Sequence, residues 1–245
     1  MKKIFVAGAL SAIAQETARC FAAEGAAFFL AARDGEKLAI SGADLKTRGA
    51  SSVTVLAADF DVLESHAEIV RKAEAELGGI EIALIAYGFL PDQTACEQDF
   101  DLTLKAIHTN FISVVSLVMQ LTPLFENQRG GTMAVIGSVA GDRGRPKNYV
   151  YGTSKGALAL FLQGLRARLS RSGVNVLTVK PGFVDTPMTA GHAKNILFAD
   201  APSVGCAIHR AILARKDILY VPGFWRWILF VIQCIPEGLF KKLKL

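Results

Sequence analysis

Lys3-Ile-Phe-Val-Ala7-Gly8-Ala9-Leu10-Ser11-Ala12-Ile13-Ala14 joins a short apolar run, a turn of small residues and the start of an amphipathic stretch. Small residues at such a turn let the backbone approach a pyrophosphate, and the helix that follows offers free N–H groups to it. Gly8 is the one glycine; alanines stand at 12 and 14, where a dinucleotide loop usually has glycine. An ordinary tight strand-to-helix turn is the alternative reading. The rest of the chain bears on the choice, because the same alternation recurs to its end. Short runs rich in β-branched and aromatic residues predict strands over 3–7, 27–32, 52–57, 82–86, 132–137, 175–180 and 218–221. Between them, amphipathic patterns predict helices over 13–24, 35–48, 64–77, 97–127, 150–172 and 203–214. Gly25, Gly49, Gly78 and Gly173 stand just past four of these helices, as C-terminal cap glycines do. Asn127-Gln-Arg-Gly-Gly131 closes the long one.

Strict strand–helix alternation implies right-handed crossovers. The fold expected is α/β, a single doubly wound, seven-stranded parallel sheet of Rossmann type with helices on both faces. No linker, repeat or low-complexity block divides the chain, so 1–223 reads as one catalytic domain. Residues 224–245 read as an apolar, basic tail, part of that domain or an interfacial anchor. Met1-Lys2-Lys3 followed by apolar residues and Ser11-Ala-Ile-Ala14 resembles a secretion signal, but cleavage there would delete the first strand. No run reaches the ~18 uncharged apolar residues expected of a spanning helix. The 245 residues are 51% hydrophobic, which predicts a large core. Cys20, Cys96, Cys206 and Cys234 lie far apart without a CxxC pair, which argues against a disulfide framework or a metal site and fits a reducing compartment. The net charge is +5, and the surplus sits after Gly205, in Arg210, Arg215, Lys216, Arg226, Lys241, Lys242 and Lys244 against Asp217 and Glu237. This positive charge is mixed with large apolar side chains, which does not suit nucleic acid.

The second strand ends at Ala32-Arg33. An acidic residue there would bind the adenosine ribose and repel a 2′-phosphate; a guanidinium welcomes that phosphate. Asp34 is one place further on and suits a helix cap. The cofactor expected is therefore NADP(H) rather than NAD(H). Asp59, beside Phe60, follows the third strand and is placed either to accept from the adenine amino group or to cap the next helix.

Ser138 ends the fifth strand, and Tyr151 follows thirteen residues later, at the start of a helix. Tyr151 and Lys155 are i, i+4 and share one helix face. Asn110 lies within the long preceding helix. On these residues, over essentially the whole chain from Gly8 to Pro181-Gly182-Phe183-Val184-Asp185-Thr186, the sequence resembles the short-chain dehydrogenase/reductase family. The resemblance implies an Asn–Ser–Tyr–Lys tetrad: Tyr151 the acid/base, Ser138 polarising the carbonyl, Lys155 on the nicotinamide ribose, and Asn110 positioning Lys155 through water. It also implies that Gly8, Ser11, Ala12, Ile13, Gly88, Pro181, Gly182, Val184 and Thr186 line the cofactor. Independently, a free phenol with a pKa near 10 is a poor proton carrier at neutrality; bringing it near 7 takes ~3 units, about 4 kcal/mol, which a neighbouring ammonium and the cofactor's positive ring can supply. The chain departs from the family where Ile85-Ala86-Tyr87-Gly88 replaces the usual Asn-Asn-Ala-Gly.

Ala86–Gln93, the loop Val139–Arg145, Tyr149–Lys155 and the aromatic tail are similar to a subgroup of decaprenylphosphoryl-2-keto-ribose reductases. That implies reduction of a keto sugar carried on a polyprenyl phosphate. Arg143, Arg145 and Lys147, between Ser138 and Tyr151, suit a substrate phosphate or form a solvated basic loop. Trp225, Trp227 and the terminal lysines suit anionic lipid, or pack over the active site or another subunit. The expected localisation is cytoplasmic, at the inner face of the membrane. The resemblance further implies a homodimer or homotetramer through the two long helices. A reductase of small soluble or acyl-chain ketones and a non-catalytic nucleotide-binding scaffold are the competing functions.

Overall fold

The computed structural model describes residues 1–189 and 195–243. Its strands are β1 (Lys3–Ala7), β2 (Ala27–Ala32), β3 (Ser52–Ala57), β4 (Ile82–Ile85), β5 (Thr132–Ile136), β6 (Asn175–Pro181), β7 (Phe183–Asp185), β8 (Phe198–Asp200) and β9 (Ile218–Val221). Its helices are α1 (Ala12–Ala22), α2 (Gly35–Thr47), α3 (His66–Leu77), α4 (Gln93–Gln98), α5 (Phe100–Ile107), α6 (Ser113–Gln128), α7 (Tyr149–Leu169), α8 (Ala201–Leu213), α9 (Trp225–Cys234) and α10 (Glu237–Phe240). One seven-stranded sheet runs in the order β3-β2-β1-β4-β5-β6-β9, every pairing parallel. This is the doubly wound architecture expected, and the residues read as a signal-like segment include the interior strand β1, paired on both sides by β2 and β4.

Successive side chains of a strand point to opposite faces, and β1 shows how that divides the core. Phe5 and Ala7 enter one apolar layer with α3, α6 and α7; Ile4 and Val6 enter the other with α1, α2 and α8. The chain turns one way from β1 to β2 and the other way to β4, so a crevice opens beyond the carboxyl ends of β1 and β4. Gly8, Ala86–Gly88, Ser138 and Gly182 all follow strands at that edge.

Helix ends follow local chemistry. Asp34 caps α2 by accepting from Lys37 N at 3.0 Å. Gly25, Gly49, Gly78 and Gly173 all take positive φ. In Asn127–Gly131 it is Arg129, not glycine, that takes the left-handed cap at φ 53°.

Two expectations need correcting, and one contact has no mark in the sequence. The single helix over 97–127 is interrupted: Asp99 accepts from Asp101 N and Leu102 N and starts a new helix, and a π-helical turn, His108–Ile112, divides α5 from α6. The stretch Phe100–Gln128 is, by length and composition, long and apolar enough to cross a membrane, with 33% of its most apolar window buried. The expectation to the contrary counted runs of uncharged apolar residues; Asn110, Ser113 and Thr122 interrupt this run yet turn into the core. Finally, Cys20 of α1 and Cys206 of α8, remote in sequence, have their sulfurs 3.1 Å apart as free thiols. Gly205 permits this contact, since a Cβ there would lie 2.5 Å from Glu16 Cβ.

Candidate active site

The crevice is a cleft of about 870 Å³. At its β1 end the backbone of Gly8 has φ 79°, and an added Cβ would meet Tyr87 N at 2.7 Å, so only glycine fits. The alanines are accommodated: Ala14 is buried in the core and Ala12 lines the cleft. Ser11 precedes α1 without a side-chain cap bond, leaving the first-turn N–H groups of this helix open to an anion. Ser11 and Ile13 line the cleft beside Arg33 and Lys37. The Asp34 carboxylate is occupied by its capping bond and by Lys37 Nζ at 3.0 Å. Arg33 has no such partner among the described residues. Asp59 accepts from Asp61 N at 3.0 Å, a local turn rather than a helix cap, and lines the cleft with Phe60.

The loop after β4 lacks the asparagines that brace it in the family it resembles, and Tyr87 takes over that work. Its ring stacks on Phe60, with centroids 4.6 Å apart and planes 5° from parallel. Its hydroxyl is 2.9 Å from Ser113 Oγ, and Ser113 Oγ donates in turn to Phe60 O. Buried His66 also reaches Phe60 O, through Nε2 at 2.9 Å; a carbonyl only accepts, so Nε2 carries the hydrogen and Nδ1 accepts from Ser116 Oγ. Burial pushes the Tyr87 phenol far up and the His66 imidazole down, so both stay neutral. Gly88 follows at φ 149°; a Cβ there would lie 2.5 Å from Asn110 Oδ1 and 3.5 Å from Lys155 Nζ.

Asn110, 0% exposed, sits in the π-helical turn. Its Nδ2 donates to Ala106 O and Phe89 O, and its Oδ1 accepts from Phe89 N. The turn thus aims a side chain of a packed helix at the loop after β4, a common use of π-turns.

Ser138, Tyr151 and Lys155 converge. Ser138 Oγ accepts from Ala140 N at 3.1 Å and lines the cleft together with Tyr151 and Lys155. Enclosure pushes the Tyr151 phenol up to about 12, against an opposing pull from Ser138. Lys155, 3% exposed, donates from Nζ to Ile136 O at 3.1 Å. Nζ lies 5.8 Å from the Tyr151 ring centroid, and burial pulls its pKa down to about 8. Glycines make the convergence possible. A Cβ on Gly141 would meet Gly156 N at 2.6 Å, and one on Gly152 would meet Ala140 O at 2.9 Å, so α7 presses directly on the backbone after Ser138. Sequence reasoning missed these glycines, although Gly152 lies within the Tyr151–Lys155 spacing that it used and Gly156 directly follows it.

Pro181, Gly182, Val184 and Thr186 line the far end of the cleft. There Trp225 of α9 forms a wall: a Cβ on Gly182 would lie 1.8 Å from Trp225 Nε1. The tail is fastened by Arg143, whose guanidinium donates to Ile232 O, Gln233 O and Ile235 O, pairs with Glu237 at 2.8 Å and stacks over Phe240 at 4.0 Å. Arg143 therefore does not line the cleft, contrary to its expected substrate role; its donors serve carbonyls at the end of α9, where the helical ladder runs out. Arg145 does line it, and Lys147 is exposed outside it.

A family profile described as short chain dehydrogenase matches residues 2–196. An uncharacterized oxidoreductase of Mycobacterium tuberculosis is 34% identical over 240 residues, covering 98% of this chain and 96% of the relative. One of Streptomyces coelicolor is 32% identical over 246 residues, covering 99% and 96%. Among solved structures, an actinorhodin polyketide ketoreductase variant with NADPH superposes with TM-score 0.82 at 22% identity, over 91% of this chain and 97% of that one, a likeness of fold.

Proposed function

The chain belongs to the short-chain dehydrogenase family and is an oxidoreductase; from that premise we propose that it reduces a ketone to a secondary alcohol with NADPH, Tyr151 supplying the proton. The observation that carries this reading is the convergence of Ser138, Tyr151 and Lys155 on one cleft, with Lys155 Nζ 5.8 Å from the Tyr151 ring centroid and enclosure raising the phenol's pKa.

The fit of a dinucleotide rests on three features: the glycine-only approach at Gly8, the uncapped start of α1 and the uncommitted Arg33. Arg33 would receive a 2′-phosphate, and Lys155 with Asn110 would hold the ribose near Gly88. Pro181, Gly182, Val184 and Thr186 would flank the nicotinamide, which when bound supplies the hydride. The residues manage the oxygen: Ser138 Oγ donates to the ketone, Tyr151 Oη passes its proton to the same oxygen as charge develops, and the Lys155 ammonium stabilises the phenolate left behind.

The substrate we favour is a keto sugar on a polyprenyl phosphate or similar lipid, following the resemblance to decaprenylphosphoryl-2-keto-ribose reductases. The tail supports it: Trp227, Phe230 and Val231 are exposed on α9 with Arg226 over the Trp227 ring, and Lys241 and Lys242 are exposed after α10, a composition suited to an anionic membrane surface, while Trp225 lines the cleft. On this reading 1–223 is one catalytic domain and 224–245 its wall and membrane contact, at the inner face of the membrane. Exposed Phe100, Met119 and Leu160 on the long helices would serve a homodimer or homotetramer. A ketone on an acyl chain is the second reading, favoured by apolar Leu90, Leu102 and Met188 in the cleft.

Tyr151→Phe keeps the ring and removes the proton. With NADPH and a panel of ketones, turnover should fall by about 10²–10⁴-fold while NADPH binding persists. A variant as active as the parent ends the proposal.

A further inference from the structure

Three polar groups on residues that line the cleft lack a protein partner among the described residues, and none belongs to the proton-transfer set. Arg145 lines the cleft, and its side chain makes no hydrogen bond or ion pair among the described residues. Burial pulls its pKa down, and the nearest carboxylate, Asp142, is already held by Lys180 at 2.5 Å and by the Tyr220 hydroxyl at 2.8 Å. Arg143, two positions earlier, is the opposite case, with its guanidinium filled by the tail. Asn148 closes the same turn, its N–H donating to Arg145 O at 3.1 Å, and it precedes Tyr151 by three residues. Its Oδ1 is buried with no partner. The third group is Trp225 Nε1, also buried and unpartnered, in the wall beside Gly182.

Buried polar groups are nearly always paired, so a cation, an acceptor and a donor left unpaired on residues that line one cleft point to the ligand that completes them. A guanidinium calls for an oxyanion, which it grips through two parallel bonds. An amide oxygen calls for a hydroxyl, and an indole N–H calls for an oxygen acceptor. We propose that Arg145, with Asn148 and Trp225, recognises a ketone bearing both an oxyanion and a free hydroxyl, and so sets the specificity of the reductase. This rests on the reductase reading, but its residues are distinct from those that move the proton. The oxyanion is a phosphate ester or a carboxylate; a soluble molecule and a lipid carrier would present the same group.

The experiment compares a neutral hydroxyketone, its phosphate monoester, the corresponding keto acid and a polyprenyl phosphodiester in detergent, all with NADPH. Wild-type protein should prefer an anionic ketone over the neutral one in kcat/KM by about tenfold or more, through KM. Arg145→Gln should erase that ratio, Arg145→Lys restore part of it, and exposed Lys147→Gln leave it as in the parent. Asn148→Ala should raise KM for hydroxylated ketones selectively. The dissociation constant of NADPH should not move in Arg145→Gln. The same preference in wild type and Arg145→Gln overturns the proposal, as does a loss of NADPH binding, which would assign Arg145 to the cofactor. Preference for the detergent-borne phosphodiester over the monoester identifies the lipid source; the reverse identifies a soluble one. If no ketone is reduced, the reductase reading fails, and calorimetry with the phosphate monoester decides Arg145 by itself: binding lost in Arg145→Gln supports it, and no binding to wild type overturns it.

Discussion

Lys155 is a cation held almost out of water, with its amine on Ile136 O and the Tyr151 ring nearby. Its pKa, about 8 in the fold against 10.5 in model compounds, makes the site unfavourable for stability at neutral pH. The sign follows from proton linkage: between those two values the unfolded chain binds more protons, so stability rises with pH across that window, and the cost is complete below about 8. Lys155→Met should therefore be more stable than the parent at pH 7, by up to about 3 kcal/mol, and this gain should vanish by pH 10.5, while reductase activity is lost. Denaturant titrations at both pH values check it; a gap that does not change with pH would contradict the assignment. Tyr151 is shifted the other way and holds its proton across the neutral range, the form that a reductase needs. At this scale the sequence was legible where spacing carries the chemistry: thirteen residues and one helical turn bring Ser138, Tyr151 and Lys155 together. It was not legible where one residue replaces another's work at a distance. Tyr87 braces its loop by stacking on Phe60 and bonding Ser113, contacts across 27 and 26 positions that no local pattern announces.

Among elements, α9 was the hardest to read. An uncharged run with aromatics at both faces has no period that separates inside from outside. The fold resolves it: Trp225 and Leu229 are buried, and Trp227, at 68% exposure, looks outward with Phe230 and Val231. Replacing Trp227 and Phe230 together by serine should reduce sedimentation with phosphatidylglycerol vesicles by about tenfold or more, without altering turnover of a water-soluble ketone. Parent protein that ignores such vesicles would remove the membrane contact from the proposal and leave the face to another subunit. The long helical stretch was legible in its extent but not in its breaks. Asp99 is a cap whose two bonds are short-range and could have been seen; the π-helical turn at Asn110 has no such local mark.

For the whole molecule, the seven strands were legible because strands buried on both faces read as unbroken apolar runs, and their alternation with helices implied a doubly wound sheet, though not the order of its strands. The small β7–β8 pair was not: three-residue strands leave no periodic trace. Nor could the sequence say that its first and last sheet-covering helices touch. Cys20 and Cys206 are 186 positions apart, yet their sulfurs need to close by only about 1 Å to reach bonding distance. Diamide, which takes two electrons from a thiol pair, should therefore clasp α1 to α8 in a covalent girdle around most of the chain. A loop of this size corresponds to about 5 kcal/mol in chain entropy, so the melting point should climb on treatment, fall back with dithiothreitol, and stay put in Cys20→Ser. Since α1 also follows the glycine turn proposed to meet a phosphate, the clasp would fix that turn against α8, and the protein would harden reversibly under an oxidant.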